Sequence, residues 1–295
     1  MTKEAYRNLL ENNPNVDYLH LLDGRLKDLI GELRDEGFDY IVDLHHNIRS
    51  AIIKYRLRKP SGSFLKLNIE KWLLTRFKIN RLPSKHIVAR YFKAATLAGA
   101  SDDGLGLEFF LPDDAKVPGS ELPPSFDAGY VAFVIGGKHA TKRLPNEKII
   151  SICNKLSGQV LLIGGEEDAD NGRMIAGACG GHVVNGCGRF TLHQSAYLVK
   201  QSKLVISHDT GMMHIAAAFN KYLISVWGNT VPAFGMVPYM PKYPERSIIV
   251  EVEGLACRPC TKIGYDKCPK QHFDCMMKIN EDKIVDSAHR ILATP

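Results

Sequence analysis

The second half of this chain alternates short apolar runs with helix-length segments, and that rhythm leaves few folds open. Residues 130–135 (YVAFVI), 159–163 (QVLLI), 204–207 (LVIS) and 222–227 (YLISVW) are strand-length and apolar almost throughout. A strand wetted on one face alternates apolar with polar residues. A continuous run marks a strand covered on both faces, as in parallel sheets. A shorter strand is expected at 182–184. Helices are expected near 147–156, from about 169, at 191–201 behind a Thr191 cap, at 211–219 and at 281–292. Strands alternating with helices imply right-handed crossovers and an α/β fold with a parallel sheet. Ligands of such sheets bind at the carboxyl ends of strands, which directs attention to 136–142, 164–166 and 207–214.

The first half is less regular. A helix is expected at 5–11, a strand at 18–22 and a strand at 40–44. The segment 25–36 carries Leu26, Leu29, Ile30 and Leu33 at helical spacing, with Gly37 as its stop. A basic region follows that holds Trp72, Phe77 and several helices. Residues 99–124, with clustered Gly, Asp and Pro, read as an irregular strand and a linker. A length of 295 residues suits two domains, expected at 1–124 and 125–295.

Charge is distributed unevenly. Between Leu44 and Lys93, seven Lys and six Arg face Glu70 alone, a local net of +12 in a chain whose total is +6. Such a field favours an anionic partner or surface. These cations are interleaved with aliphatic residues, as on helices, and no nucleic-acid motif accompanies them, so nucleic acid is not the expected partner. No stretch approaches the ~20 apolar residues of a membrane span. The polar start MTKEAYRNLLENNP lacks a signal-peptide core. A cytoplasmic location is therefore expected, with reduced thiols.

Four segments carry candidate chemistry. In Ser207-His208-Asp209-Thr210-Gly211-Met212-Met213-His214, a strand runs into a helix through a glycine. The free amides and dipole of a helix start make an anion site, although Asp209 or Thr210 serving as a simple cap is the competing reading. In 136–145 (GGKHATKRLP), two glycines, Thr141 and three cations follow a strand and suit a diphosphate; a solvated basic loop is the alternative. In Gly164-Gly165-Glu166-Glu167, a carboxylate follows a strand, where it can accept ribose hydroxyls or simply favour a helix start. In 42–50 (VDLHHNIRS), His45 is a proton acceptor candidate near neutral pH, while Asp43 can equally close the strand end.

The run HDTGMMHIAAAFNKYLISVWGNTVPAFGMVPY resembles the signature of the lipopolysaccharide heptosyltransferases, glycosyltransferase family 9. The resemblance implies a GT-B fold: two Rossmann-like domains facing a cleft, acceptor side first and nucleotide-sugar side second. It implies that Asp209, Thr210, Gly211 and His214 contact the diphosphate of an ADP-sugar, that Thr141 and Lys142 face the phosphates, with Lys142 catalytic, and that Glu166 takes the ribose. On the acceptor side it points to Asp43 and Arg49, with His45 as a second catalytic candidate. The implied reaction transfers heptose or a similar sugar, with inversion, to a lipopolysaccharide core acceptor. It needs no further cofactor if Lys142, Thr141 and the helix start stabilise the leaving diphosphate. The basic stretch would then face core phosphates or the inner surface of the membrane.

The chain also departs from that family. Members begin with a strand and a Gly-Asp loop whose Asp is the proposed base, and Met1 here falls inside what would be the second β-α unit. The N-terminal domain is therefore expected to lack one unit of roughly 30 residues. A nucleotide-sugar-binding fragment or pseudoenzyme without its base is the alternative function. Finally, Cys257, Cys260, Cys268 and Cys275 cluster near the C-terminus. The Cys-x2-Cys pair suits tetrahedral zinc, but the second pair is too widely spaced for a standard knuckle. Packed thiols or a redox-sensitive loop are the other readings.

Overall fold

The structure, a computed structural model, describes residues 1–293. It divides into two compact units. The first comprises 1–68 and 83–105; the second comprises 69–82 and everything from Gly106 onward.

The first unit holds α1 (Leu26–Asp35), β1 (Ile41–Asp43), α2 (Ile48–Leu57) and β2 (Ser61–Ser63). The helix α3 (Asn68–Phe77) belongs almost wholly to the second unit, and α4 (Ile87–Ala95) returns to the first. β1 and β2 pair in parallel, from Ile41 opposite Ser61 to Asp43 opposite Ser63. Leu29, Ile30 and Leu33, the helical stripe read from sequence, pack with Ile53 of α2. A second small cluster joins Phe64, Ile87 and Ala94. The expected strand at 18–22 is reduced to one parallel bridge between Thr2 and Leu21, and the first helix is a 3-10 segment at Glu4–Leu9. With two short strands there is little sheet to cover, and Val42 stays 42% exposed.

The second unit is a six-stranded parallel sheet. Its strands are β3 (Tyr130–Val134), β4 (Gln159–Ile163), β5 (Val183–Asn185), β6 (Leu204–His208), β7 (Tyr222–Trp227) and β8 (Ser247–Glu251), in the order β5-β4-β3-β6-β7-β8. The crossovers are α5 (Asn146–Lys155), α6 (Ala169–Gly177), α7 (Leu192–Gln201) and α8 (Gly211–Ala218); a short α9 (Asp274–Met277) and α10 (Glu281–Leu292) follow β8.

Alternate residues of β3 show why both faces are apolar. Val131 and Phe133 enter a core with Ile149 and Ile152 of α5 and Ile284 and Ala288 of α10. Tyr130, Ala132 and Val134 enter a second core with Leu198 of α7 and Met213 and Ala216 of α8. Two features differ from the sequence reading. The edge strand β8 was not anticipated, because a short half-buried run has no flanking periodicity to mark it. Residues 106–126 form 3-10 turns and no strand, and Val117 and Phe126 drop into the second core, so this stretch joins the sheet it precedes. By contact, the stretch from Gly106 onward accordingly falls with the second unit.

The strand order reverses at β3, with β4 and β5 on one side of it and β6, β7 and β8 on the other. A crevice opens at such a reversal, outside the carboxyl ends of the strands. No helix among the described residues is long and apolar enough to cross a membrane.

Candidate active site

At the end of β6 the chain turns into α8 through Asp209 and Thr210. Thr210 occupies the N-cap position with extended backbone (φ −138°, ψ 172°), yet its own side chain makes no cap hydrogen bond. The Thr210 hydroxyl lies 3.4 Å from that of Ser207. Gly211 is exposed, with open space where a Cβ would stand. The first-turn amides of α8 therefore face an opening with the positive end of the helix dipole behind them, an arrangement suited to an anion. Thr210 therefore does not act as a simple cap.

Asp209 is committed elsewhere. Its Oδ2 receives the Lys142 ammonium at 2.6 Å and the Thr230 hydroxyl at 2.8 Å, and Lys142 also donates to the Asp209 carbonyl at 3.2 Å. Asp209 is 8% exposed, so this pair sits largely out of water. Thr230 is steadied in turn by Arg258, whose side chain is 5% exposed. That guanidinium donates to the carbonyls of Thr230, at 2.7 Å, Gly228 and Val252, and pairs with Glu251. Sequence reading passed over Thr230 and Arg258. Thr230 stood inside the quoted signature, but nothing local links it to a residue 21 positions earlier.

The two glycine pairs act by letting other groups approach. A Cβ on Gly136 would collide with the Asp168 carboxylate, and one on Gly164 would come within 2.8 Å of the Asp168 Cβ. Buried Asp168 accepts the Gly165 amide at 3.1 Å and the Arg143 guanidinium at 3.0 Å. His208 is fully buried, and its Nε2 accepts the Leu144 amide at 3.0 Å, which ties the 137–145 loop to β6. Burial, then the nearby Arg143 charge, push the His208 imidazole down to about 4, against a smaller opposing pull from the Gly136 backbone. It is neutral at physiological pH, as its acceptor role requires.

These strand ends enclose an open cleft of about 810 Å³. Gly136, Gly137, Lys138, Arg143, Thr210 and Gly211 give it amides and cations, Glu167 and Asn171 give it polar side chains, and Phe190, Leu192 and Met212 give it apolar surface. Lys138 is exposed and has no ion-pair partner among the described residues, whereas Lys142 and Arg143 are both paired. Backbone amides, a free cation and an apolar wall together fit a nucleotide bearing phosphates.

The other sequence candidates fall as follows. Thr141 is 3% exposed, and its hydroxyl both donates to the Tyr265 carbonyl (3.0 Å) and accepts the Tyr265 amide (2.8 Å); it braces two loops. Glu166 is exposed, and its neighbour Glu167 is the carboxylate that lines the cleft. His214 is half-buried on α8. In the first unit, Asp43 accepts the amides of His45 (3.0 Å) and His46 (2.7 Å) and pairs with Lys54 at 2.9 Å. Burial raises its pKa, but the His46 amide, Lys54, Ser50 and the His45 amide outweigh that and take it to about 2. Asp43 thus holds the strand end in place. His45 and Arg49 are exposed and border a cavity of about 240 Å³ within the first unit.

Among the described residues no three His, Cys, Asp or Glu side chains are arranged to hold a metal. Cys257, Cys260 and Cys268 are half-buried, but Cys275 is drawn into the core beside Met276. Burial, then the neighbouring Cys260 and Cys268, push the Cys275 thiol up to about 12. The segment works as a brace through Arg258, through Tyr265, and through the Cys260 amide on the Asn229 carbonyl at 3.3 Å.

Comparison with known proteins agrees with this geometry. Residues 26–268 match the sequence profile of glycosyltransferase family 9 (heptosyltransferase). A lipooligosaccharide heptosyltransferase 2 of Haemophilus influenzae is 31% identical over 246 residues, covering 76% of this chain and 69% of that protein. Among solved structures, a family 9 glycosyltransferase from Veillonella parvula superposes with a TM-score of 0.74 at 19% identity, over 100% of this chain and 88% of its own. The ADP-heptose lipopolysaccharide heptosyltransferase II of Escherichia coli gives 0.69 at 19% identity, over 98% and 87%. These likenesses carry the GT-B fold, and the profile match, spanning most of the chain, carries the family. This chain belongs to glycosyltransferase family 9, the heptosyltransferases.

Proposed function

We propose that this protein transfers heptose, or a closely similar sugar, from an ADP-sugar to a lipopolysaccharide core acceptor, with inversion at the anomeric carbon. The observation that carries the reading is the uncapped start of α8 beside an Asp209 held by Lys142 and Thr230, at the edge of a nucleotide-sized cleft. The acceptor oxygen attacks the anomeric carbon as the bond to the diphosphate breaks. Negative charge grows on the leaving oxygens, and donors fixed in advance lower that barrier most. The α8 amides and Lys142 supply them. A carboxylate can only accept, so Asp209 meets the anion through the ammonium it aims and keeps its remaining acceptor capacity for sugar hydroxyls. Lys138 adds an unpaired cation for the phosphates, and Glu167 accepts from ribose. Phe190, Leu192 and Met212 offer the base an apolar wall.

In the first unit His45 is our candidate proton acceptor and Arg49 our candidate for an acceptor phosphate. A cytoplasmic reaction at the inner face of the membrane suits both substrates. The test is calorimetric titration with ADP, UDP and GDP, followed by a transfer assay. Selective binding of ADP, lost in Asp209→Ala, together with turnover on a lipopolysaccharide core acceptor, is the expected result. Failure to bind any of the three nucleotides sinks the reading.

A further inference from the structure

The helix α3 presents to solvent what a folded domain normally hides. Ile69 is 71% exposed, Trp72 54% and Phe77 54%, and only Leu74 of this helix is buried. Ile69, Trp72, Leu73 and Arg76 recur at helical spacing, so they share one face. The Trp72 and Phe77 rings stack edge-to-face, with centroids 5.1 Å apart, which gives the patch a rigid aromatic ridge. Around it charge is one-sided: residues 69–82 contain Lys71, Arg76, Lys78 and Arg81 against Glu70. The helix is anchored from below, where the Lys78 ammonium donates to the carbonyls of Cys257 (3.2 Å) and Pro259 (2.7 Å). The ridge is therefore fixed on the unit that carries the nucleotide cleft.

We propose that this face of α3 docks the protein on an anionic lipid surface. A second copy of the same cationic face would repel it, and an aqueous ligand would leave the indole wet. An anionic bilayer satisfies both features. Headgroup charge attracts Arg76 and its neighbours, and the interface accepts Trp72, Ile69 and Phe77 at the depth where amphipathic rings settle. The proposal rests on the reading of a membrane-borne acceptor, and it adds which residues meet the membrane.

The chain carries its own probe. It has two tryptophans, and Trp227 is fully buried, so a change in emission on binding reports Trp72. The intact protein is mixed with vesicles of phosphatidylethanolamine and phosphatidylglycerol, and separately with phosphatidylcholine alone. Emission is expected to shift to the blue, with co-sedimentation, on the anionic vesicles only. Ile69→Ser with Trp72→Ser is expected to weaken vesicle binding by roughly tenfold or more, as loss of two inserted apolar side chains implies. Arg76→Glu is expected to weaken it several-fold and to reduce its sensitivity to salt. ADP affinity of the same variants reports whether they fold and whether the nucleotide site stands, independently of lipid. Equal binding to neutral vesicles, unchanged binding by a variant that still takes ADP, or concentration-dependent dimerisation abolished by the double substitution would each overturn the proposal.

Discussion

In the second unit Phe133 is sealed at 0% exposure in the core that includes residues of α5 and α10. In the first unit Val42, on a strand of the same parallel kind, stands 42% exposed. Six strands give the second unit two continuous cores, and two strands give the first only small separate clusters. The polar groups follow the same division. Asp209, Lys142, Thr230 and Arg258 form one chain of buried and half-buried contacts that begins next to Thr210 of the cleft wall, whereas His45 and Arg49 lie on exposed positions. Preorganised charge needs a rigid, dry frame. The difference teaches that the second unit fixes its polar groups in advance, while the first presents exposed side chains free to adapt.

The comparison breaks most easily at the cores. Phe133→Ala is expected to destabilise the second unit by about 3–5 kcal/mol, against about 2 kcal/mol for Ile53→Ala in the first, where the half-buried Leu22, Leu26 and Leu57 can close around the gap. Urea unfolding of both variants measures this, with separate transitions for the two units. Equal losses in a single transition would mean the units share one cooperative core.

The next effect concerns the chemistry. Lys142→Ala is expected to lower kcat by roughly a hundredfold or more, as removal of one preorganised donor does elsewhere, with a far smaller change in thermal stability. Full activity in that variant removes Lys142 from the mechanism.

Acid should tell the two units apart as well. The His208 imidazole is held at about 4 in the fold against 6.5 unperturbed, so the unfolded chain binds the extra proton first. Stability is then lost progressively as pH falls from 6.5 to 4, by an amount of order 2–3 kcal/mol for the second unit. Denaturant melts across that window check it, with His208→Gln, which retains an acceptor for the Leu144 amide but does not titrate, expected to flatten the dependence. A slope that persists in His208→Gln assigns the effect to other groups.

The smallest expected effects sharpen the cleft itself. Lys138→Ala should weaken ADP binding about fivefold, roughly 1 kcal/mol, and adenosine binding hardly at all, since an exposed cation contributes modestly and only to charge. Glu167→Gln should weaken both by a similar factor while Glu166→Gln changes neither. The reverse order would return the ribose to Glu166.

The legible parts of this molecule are those whose cause is local. Runs such as YVAFVI are strands because each of their faces has to be covered, and the Leu26–Leu33 stripe is a helix because its apolar residues recur on one side. The glycines at 136 and 164 and the polar turn at 207–211 mark strand ends for the same kind of reason. Combined with the rule that such sheets bind ligands at the carboxyl ends of their strands, they pointed to the region of the cleft. What tertiary structure decided is which groups remain available. Thr141 looks free in sequence but is consumed by Tyr265, 124 residues later. Asp209 finds Thr230 from the next strand's end, and Arg258 from beyond β8 supports them. Asp168 takes the space that Gly136 leaves empty and pairs with Arg143, which leaves Lys138 in the cleft with no ion-pair partner among the described residues. Such partners are brought together by strand order and crossover packing. A buried polar group must be satisfied by whatever the fold places beside it, and that neighbour is remote in sequence.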